Sequence, residues 1–281
     1  MFLVVFSHYT QGVYLFGIRN FYWVTIGGFG VTLFLILSGM CLEYSYGGQR
    51  YSYTEFIRKR LRRIYPSYWL SFAASIILGV ATLPGDAFSL VMILTAFEVF
   101  STRALEPWGG LLYAIGWFIG VIVVLYLLYP FLSRAMQARP KSTILLALLT
   151  SLVSRVLVGN YWAAAGPTDW FPPCRLFEFT LGIWLANRKE VTGSLAILNI
   201  RRGRNIVAYA SDLSYPIYLV HLTVLGFINL YSATIGNPLL FLLAFIVGTF
   251  VLSNIVFYVE SIALKQWRKL DPLAHVRKGL G

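Results

Sequence analysis

Charge is scarce in this sequence: 12% of its 281 residues are Asp, Glu, Lys or Arg, where a soluble domain carries about 25%. A separate soluble domain has no polar stretch to build from, so one membrane domain is expected. Cysteine is scarcer still. Cys41 and Cys174 lie within or beside apolar runs and suit the part of small hydrophobes. No disulfide framework or metal-ligand spacing can be drawn from two cysteines, and no metal site is expected. No internal repeat or low-complexity tract is evident, which disfavours the inverted-repeat transporter folds. The opening residues carry neither a basic n-region nor a small-residue cleavage site, so they do not read as a signal peptide. They begin inside an apolar run, and the first helix is expected to have lost its start.

Apolar length, by contrast, is abundant. Hydrophobic residues make up 58% of the chain and aromatics 17%, and a helix needs about 20 apolar residues to cross a bilayer. Candidate spans recur at 1–16, 23–42, 66–83, 108–132, 142–159, 170–187, 206–230 and 238–260. Many Trp and Tyr sit at their ends, where amphipathic rings favour the interface. Pro66 is expected to open the third span, where a missing N–H costs nothing, and Pro130 to close the fourth.

The net charge of +12 does not point to nucleic acid, because 19 of the 23 Lys and Arg fall in four short segments, 50–65, 133–141, 188–205 and 261–281. Such clustering follows the positive-inside rule. The further apolar run 88–100 is too short to cross comfortably at about 1.5 Å per residue. If it lies at the interface, all four basic segments share one side; if it crosses, they do not. The expected fold is therefore an all-α polytopic membrane bundle of about eight transmembrane helices, with 84–107 outside and both termini cytoplasmic. Residues 1–264 form one transmembrane domain and 265–281 a basic tail. The outer loops carry Asp86, Glu98, Glu106 and Asp169 against Arg19 and Arg103.

Ionisable side chains inside a bilayer are costly unless paired or hydrated, so each is a functional candidate. His8, Arg155, Arg175, Glu178 and His221 qualify. Arg175 and Glu178 are three apart on one helical face and can pair. The five residues read equally as a functional cluster or as a structural ion pair with two hydrogen-bonded histidines. The segment FIRKRLRRIYP reads as a short amphipathic helix in which Arg60 and Arg63 face the same way. Such arginines either hold topology against anionic lipid headgroups or capture a phosphate-bearing molecule through paired guanidinium groups. Headgroup contact is the expected role of Arg58, Lys59 and Arg62.

Read in order, VVFSHY (4–9), FGVTLFLILSG (29–39), FIRKRLRRIYPSYWL (56–70), WFIGVIVVLYLLYP (117–130), RLFEFTLG (175–182) and LSYPIYLVH (213–221) resemble the acyltransferase family 3 membrane proteins. Each motif is weak alone, but six in the family's order are specific. The resemblance implies an O-acyltransferase of the cell membrane that takes acyl-CoA, with acetyl-CoA the expected donor, from the cytoplasm. The acceptor is a hydroxyl of a surface glycan or lipid-linked saccharide, and membrane lipids are the remaining partners. No permanently bound cofactor is implied. Arg60 and Arg63 match the Arg-x-x-Arg pair that meets the CoA phosphates, and His8 matches the catalytic base. A neutral imidazole with a pKa of about 6.5 suits that role. Ser38 would line the tunnel, while Arg175, Glu178, Tyr218 and His221 would position groups or bind the acceptor.

This sequence departs from the family in three respects. The arginine about three helical turns before the histidine is not included, Ile122 stands where many members have glutamate, and one helix pair of the usual ten is missing. A transporter or flippase of a polar lipid or sugar, and a catalytically degenerate relative, are the competing expectations.

Overall fold

The computed structural model describes residues 2–10, 20–97, 110–161, 170–188, 204–231 and 237–270. Among them are nine α-helices and no strand: α1 Phe2–Tyr9, α2 Asn20–Tyr46, α3 Tyr53–Ile77, α4 Ala87–Thr95, α5 Gly110–Ala138, α6 Pro140–Tyr161, α7 Leu176–Ala186, α8 Arg204–Leu230 and α9 Pro238–Leu270. A 3-10 turn, Pro172–Arg175, leads into α7. Five helices contain segments long and apolar enough to span a membrane: Thr25–Tyr46, Gly116–Ala138, Pro140–Asn160, Ser211–Leu230 and Leu239–Gln266. These match five of the expected spans. Helix α3 is 25 residues long, but its first half is charged; α1 and α7, at 8 and 11 residues, are shorter than a crossing. The protein is an all-α membrane protein. Glu98, Glu106, Asp169, Arg19 and Arg103 lie outside the described residues.

The helices run through boundaries that proline suggested. Helix α3 begins at Tyr53, so Pro66 lies in its interior, and Pro130 lies inside α5 rather than at its end. An internal proline removes one ladder hydrogen bond, yet membrane helices tolerate it when neighbouring elements supply polar partners. Beside Pro66, the Tyr215 hydroxyl donates to the Ile64 carbonyl at 2.9 Å. The amphipathic basic segment and the third span are consequently one helix. Likewise α9 continues to Leu270, so the first residues of the basic segment 265–281 are helical.

Cross-helix contacts collect the described parts of the basic segments at one end of the bundle. The Tyr129 hydroxyl of α5 donates to Glu43 of α2 at 3.0 Å, and Asn187, just past α7, donates to the same carboxylate at 3.1 Å. The Tyr53 hydroxyl at the start of α3 reaches the Leu127 carbonyl of α5 at 3.3 Å. Ser67 of α3 bonds Glu260 near the end of α9. With α3 leaving this basic end and α5 returning to it, the segment between them starts and finishes at the opposite end, as the charge pattern required.

Helix α4 folds back along α3, burying Ile93 and Ala96. Asp86 caps its first turn by accepting from the Ser89 amide at 2.9 Å, and Ala96, at φ 60°, closes its last. Its terminal carbonyls are met by α3: Tyr65 donates to Thr95, Tyr68 to Ile93 and Trp69 to Leu94, at 2.9, 2.7 and 2.9 Å. Trp69 lies eight residues before the end of α3, about 12 Å down the helix. A helix end at that depth is admissible because the protein itself satisfies its backbone.

Two devices hold the long helices together. On α3, Ser67, Ser71 and Ser75 recur every fourth residue and are fully buried. Beyond the bond to Glu260, Ser71 donates to the Leu219 carbonyl at 2.8 Å, and Ser75 pairs with Thr223 at 2.7 Å. Helices α2 and α7 meet backbone to backbone at glycines, the small-residue contact typical of membrane interfaces. A Cβ on Gly182 would stand 2.0 Å from the Ile36 carbonyl oxygen, and one on Gly39 2.2 Å from that of Phe179. Gly182→Ala is therefore expected to destabilise the fold by about 1–3 kcal/mol. Gly28→Ala, where a Cβ meets nothing within 4 Å, should not; thermal unfolding of the two variants in detergent measures the contrast.

Candidate functional site

A cavity of about 1020 Å³ opens at the basic end between α2, α3, α5, α8 and α9. Its depth is read along the helices. On α2 the lining runs from Ser45 through Cys41 and Ser38 to Phe34, and on α5 from Tyr126 through Ile122 to Phe118. From Ser45 to Phe34 is roughly 16 Å at 1.5 Å per residue. The outer part carries Lys59, Arg60, Arg62 and Arg63 on one side, with Ser211, Asp212, Glu260 and Ser261 from α8 and α9. The inner part is Phe34, Leu37, Phe118 and Ile122. One end is cationic and polar; the other is apolar.

Arg60 and Arg63 both line this cavity, as their spacing on one face of α3 predicted. Arg60 is held in place. Its Nη2 donates to the Tyr46 hydroxyl at 2.8 Å, and its guanidinium lies over the Tyr46 and Phe56 rings at 5.0 and 5.6 Å. Its Nε is buried and has no partner among the described residues. A buried donor left over on an oriented guanidinium fits an anionic oxygen, the chemistry of a phosphate. Lys59 and Arg62, expected at lipid headgroups, also face the cavity, although Lys59 pairs with Glu55 at 3.2 Å. Ser38 and Tyr126 line the same wall.

The histidines lie deeper. The His8 and His221 rings, from α1 and α8, have centroids 5.3 Å apart at 44°. His221 is fully buried, and its Nδ1 is 2.6 Å from the Tyr218 carbonyl oxygen. A carbonyl only accepts, so Nδ1 carries the proton in the neutral ring and Nε2 keeps its lone pair. That Nε2 is buried and has no partner among the described residues. An aromatic series joins this pair to the cavity: Tyr218 to His221 at 5.8 Å, Phe118 to Tyr218 at 5.3 Å, Phe34 to Phe118 at 5.2 Å. Ser71 and Ser75, which contact α8 on either side of His221, stand 8 and 12 residues beyond Arg63, about 12–18 Å along α3.

Arg175 and Glu178 pair as expected, at 3.2 Å, but in a larger group that does not line the cavity. Arg155 reaches the same Glu178 Oε1 at 3.0 Å, and Arg175 also donates to Thr32 of α2 at 3.2 Å. Ser151 of α6 donates to the Pro173 carbonyl and accepts from the Phe177 amide, at 3.0 and 2.9 Å. The group ties α2, α6 and α7 together in the half of the bundle away from the basic end. Glu260, Tyr126 and the α3 serines were missed from the sequence. Glu260 escaped because it closes an apolar run; the i, i+4 spacing of the serines was there to be seen. Glu178→Gln strips the carboxylate from two guanidinium groups, one of them buried, and is expected to destabilise the protein by about 3–5 kcal/mol. Arg155→Ala, at the partly exposed member, should cost less, as thermal unfolding in detergent would measure.

With the geometry in place, comparison with known proteins is informative. Residues 1–194 match the model of an acyltransferase domain family. The exopolysaccharide production protein ExoZ of Rhizobium meliloti (strain 1021) is 23% identical over 258 residues, covering 75% of this chain and 81% of that protein. No solved structure matches. The family match takes in more than half of the chain, including His8, Ser38, Arg60, Arg63, Arg175 and Glu178, and the chain belongs to acyltransferase family 3.

Proposed function

We propose that this membrane acyltransferase moves an acyl group from cytoplasmic acyl-CoA to a hydroxyl of an exopolysaccharide or its lipid-linked precursor. The observation that carries the reading is a single path. It begins at Arg60 and Arg63, follows a cavity about 1020 Å³ in volume, and leads toward two adjacent histidines, His221 buried and His8 half-buried. The name of the Rhizobium relative supports a polysaccharide acceptor. The positive-inside rule puts the basic end in the cytoplasm, and with it the end of α9. The cell membrane of a bacterium is then the location.

In this reading Arg60 and Arg63 hold the CoA phosphates through charge-assisted hydrogen bonds, and the pantetheine arm runs inward past Ser38. The acceptor hydroxyl enters from the opposite half. As its oxygen attacks the thioester carbon, His8 takes the hydroxyl proton. The carbon–oxygen bond forms, the carbon–sulfur bond breaks, and CoA leaves as the thiol after receiving that proton. His221 is a positioning residue: its bare Nε2 offers a hydrogen-bond acceptor beside His8, and Tyr218 fixes its tautomer. Arg175 and Glu178 shape the wall along which the acceptor approaches.

The test is CoA release and label transfer from acetyl-CoA by membranes containing the protein, with exopolysaccharide as acceptor. His8→Ala is expected to lower kcat by about 10²–10⁴-fold, the scale of general-base catalysis. Arg60→Ala with Arg63→Ala should raise KM for the donor with a smaller effect on kcat. Full activity in the His8→Ala protein would overturn the assignment.

A further inference from the structure

The sides of the cavity are not all joined in the same way. Tyr129 links α5 to α2 through Glu43, Tyr53 links α3 to α5, and Ser67 links α3 to α9. The remaining side, between α2 and the α8–α9 pair, is bridged by α1 at the level of His8, where Tyr9 stacks on Phe245. That level is deeper than the cavity. Helix α1 covers α2 at Gly27 and Gly30, and its first described residue, Phe2, is exposed. From one turn nearer the basic end, the same face of α2 carries Phe34, Ser38, Cys41 and Ser45, which line the cavity. Leu37 and Cys41 belong to two surfaces at once. They are part of the lining, and they continue at four-residue steps the exposed series Phe29 and Leu33 within the span Thr25–Tyr46. Leu37 is 51% exposed.

We propose that the cavity opens sideways into the cytoplasmic leaflet along Leu37 and Cys41, and that an anionic phospholipid enters there and competes with the donor for Arg60 and Arg63. The competition rests on the acyl-CoA reading above; the entry of the lipid does not. Depth and charge both fit this occupant. From Ser45 to Phe34 is about 16 Å along α2, and half of a bilayer's hydrocarbon core is about 15 Å. One phospholipid chain therefore matches the wall, with Leu37, Phe257 and Leu264 along its course. At headgroup level Lys59, Arg60, Arg62 and Arg63 stand against two carboxylates, Asp212 and Glu260. The excess of positive charge favours an anionic headgroup over a zwitterionic one. The buried Nε of Arg60 suits a phosphate oxygen of lipid or donor alike. Headgroup contact on the outer surface of α3 would leave the cavity free, whereas a lipid inside it excludes the donor. The apparent affinity for the donor then falls as the anionic lipid fraction rises.

The experiment places the purified protein in phosphatidylcholine nanodiscs with a trace of phosphatidylglycerol or phosphatidylcholine that carries a maleimide midway along one chain. Cys174 is buried, so Cys41 is the thiol within reach, and Cys41→Ser should abolish the cross-link. The phosphatidylglycerol probe is expected to react at least about fivefold faster, the scale of one cation–headgroup contact. Desulfo-CoA keeps the phosphates of the donor and has no thiol. At about ten times its dissociation constant, measured by calorimetry in the same nanodiscs, it should slow the reaction about tenfold by mass action. No product at Cys41 overturns the side opening. Equal rates for the two lipids, or a rate that bound desulfo-CoA leaves unchanged, make Cys41 an ordinary lipid-facing residue and overturn the proposal. Failure of desulfo-CoA to bind at all is a different result. It overturns the acyl-CoA reading, and the competition with it, while a persistent preference for phosphatidylglycerol upholds the entry of the lipid.

Discussion

Water does not reach the middle of a bilayer, so a polar group placed there must find its partner inside the protein. The arrangement of this bundle follows from that constraint. The serine series of α3 faces α8 and α9 because those helices offer a carbonyl, a hydroxyl and a carboxylate at matching heights. Helix α4 turns back into the bundle only because three ring donors of α3 stand where its last carbonyls end. Two guanidinium groups share one oxygen of Glu178. Against this background the exceptions are informative. Among the described residues, the buried side-chain atoms without partners are Arg60 Nε, Glu178 Oε2, Thr180 Oγ1, His221 Nε2 and Thr249 Oγ1. Arg60 and His221 belong to motifs that resemblance singled out, and they stand at the two ends of one path.

The same constraint gives the cavity its polarity. A chamber within a membrane protein can be hydrated at its mouth, where Lys59, Arg62 and Arg63 gather, and dry where Phe34 and Phe118 close it. A dry inner end strengthens every electrostatic interaction near it and, under the proposed function, would keep water from competing with the acceptor hydroxyl for the thioester. The tyrosines at the mouth serve the charge. Tyr46 both accepts from Arg60 and presents its ring to the guanidinium, so a neutral side chain fixes the orientation of the cation. Of the two carboxylates in this lining, Asp212 and Glu260, the second is held by Ser67.

What could be read from the sequence divides along physical lines. The sharing of one end by the basic clusters was legible, because charge is excluded from the apolar core and parity then limits the paths. So was the pairing of Arg175 with Glu178, since three residues is a local distance on a helix. Arg155 joining them was not: its distance from Glu178 is 23 residues in sequence, and only packing determines which faces of α6 and α7 meet. Pro66 and Pro130 misled for a related reason. Proline limits its own backbone, but its cost is settled by neighbours that no local pattern reveals. The folding back of α4 depended likewise on Tyr65, Tyr68 and Trp69, aromatic residues that alone read as interface anchors.

His8 illustrates how far its place depends on tertiary contact. Its helix is described over 8 residues, a length at which an isolated helix has little stability of its own. Its position is imposed by neighbours. Gly27 leaves room for Ser7, where a Cβ would come within 2.6 Å of the hydroxyl, and Gly30 admits Leu3 and Val4. On the other side Tyr9 stacks on Phe245 of α9 with centroids 5.2 Å apart. His8 therefore reaches His221 only when α1 is seated against α2, α8 and α9 together. The cavity that holds Arg60 and Arg63, in contrast, is built from α2, α3, α5, α8 and α9 with no residue of α1 in its lining. The cavity and the place of His8 thus depend on different contacts, and under the proposed function substitutions at the arginines and at His8 are expected to separate into effects on affinity and on turnover.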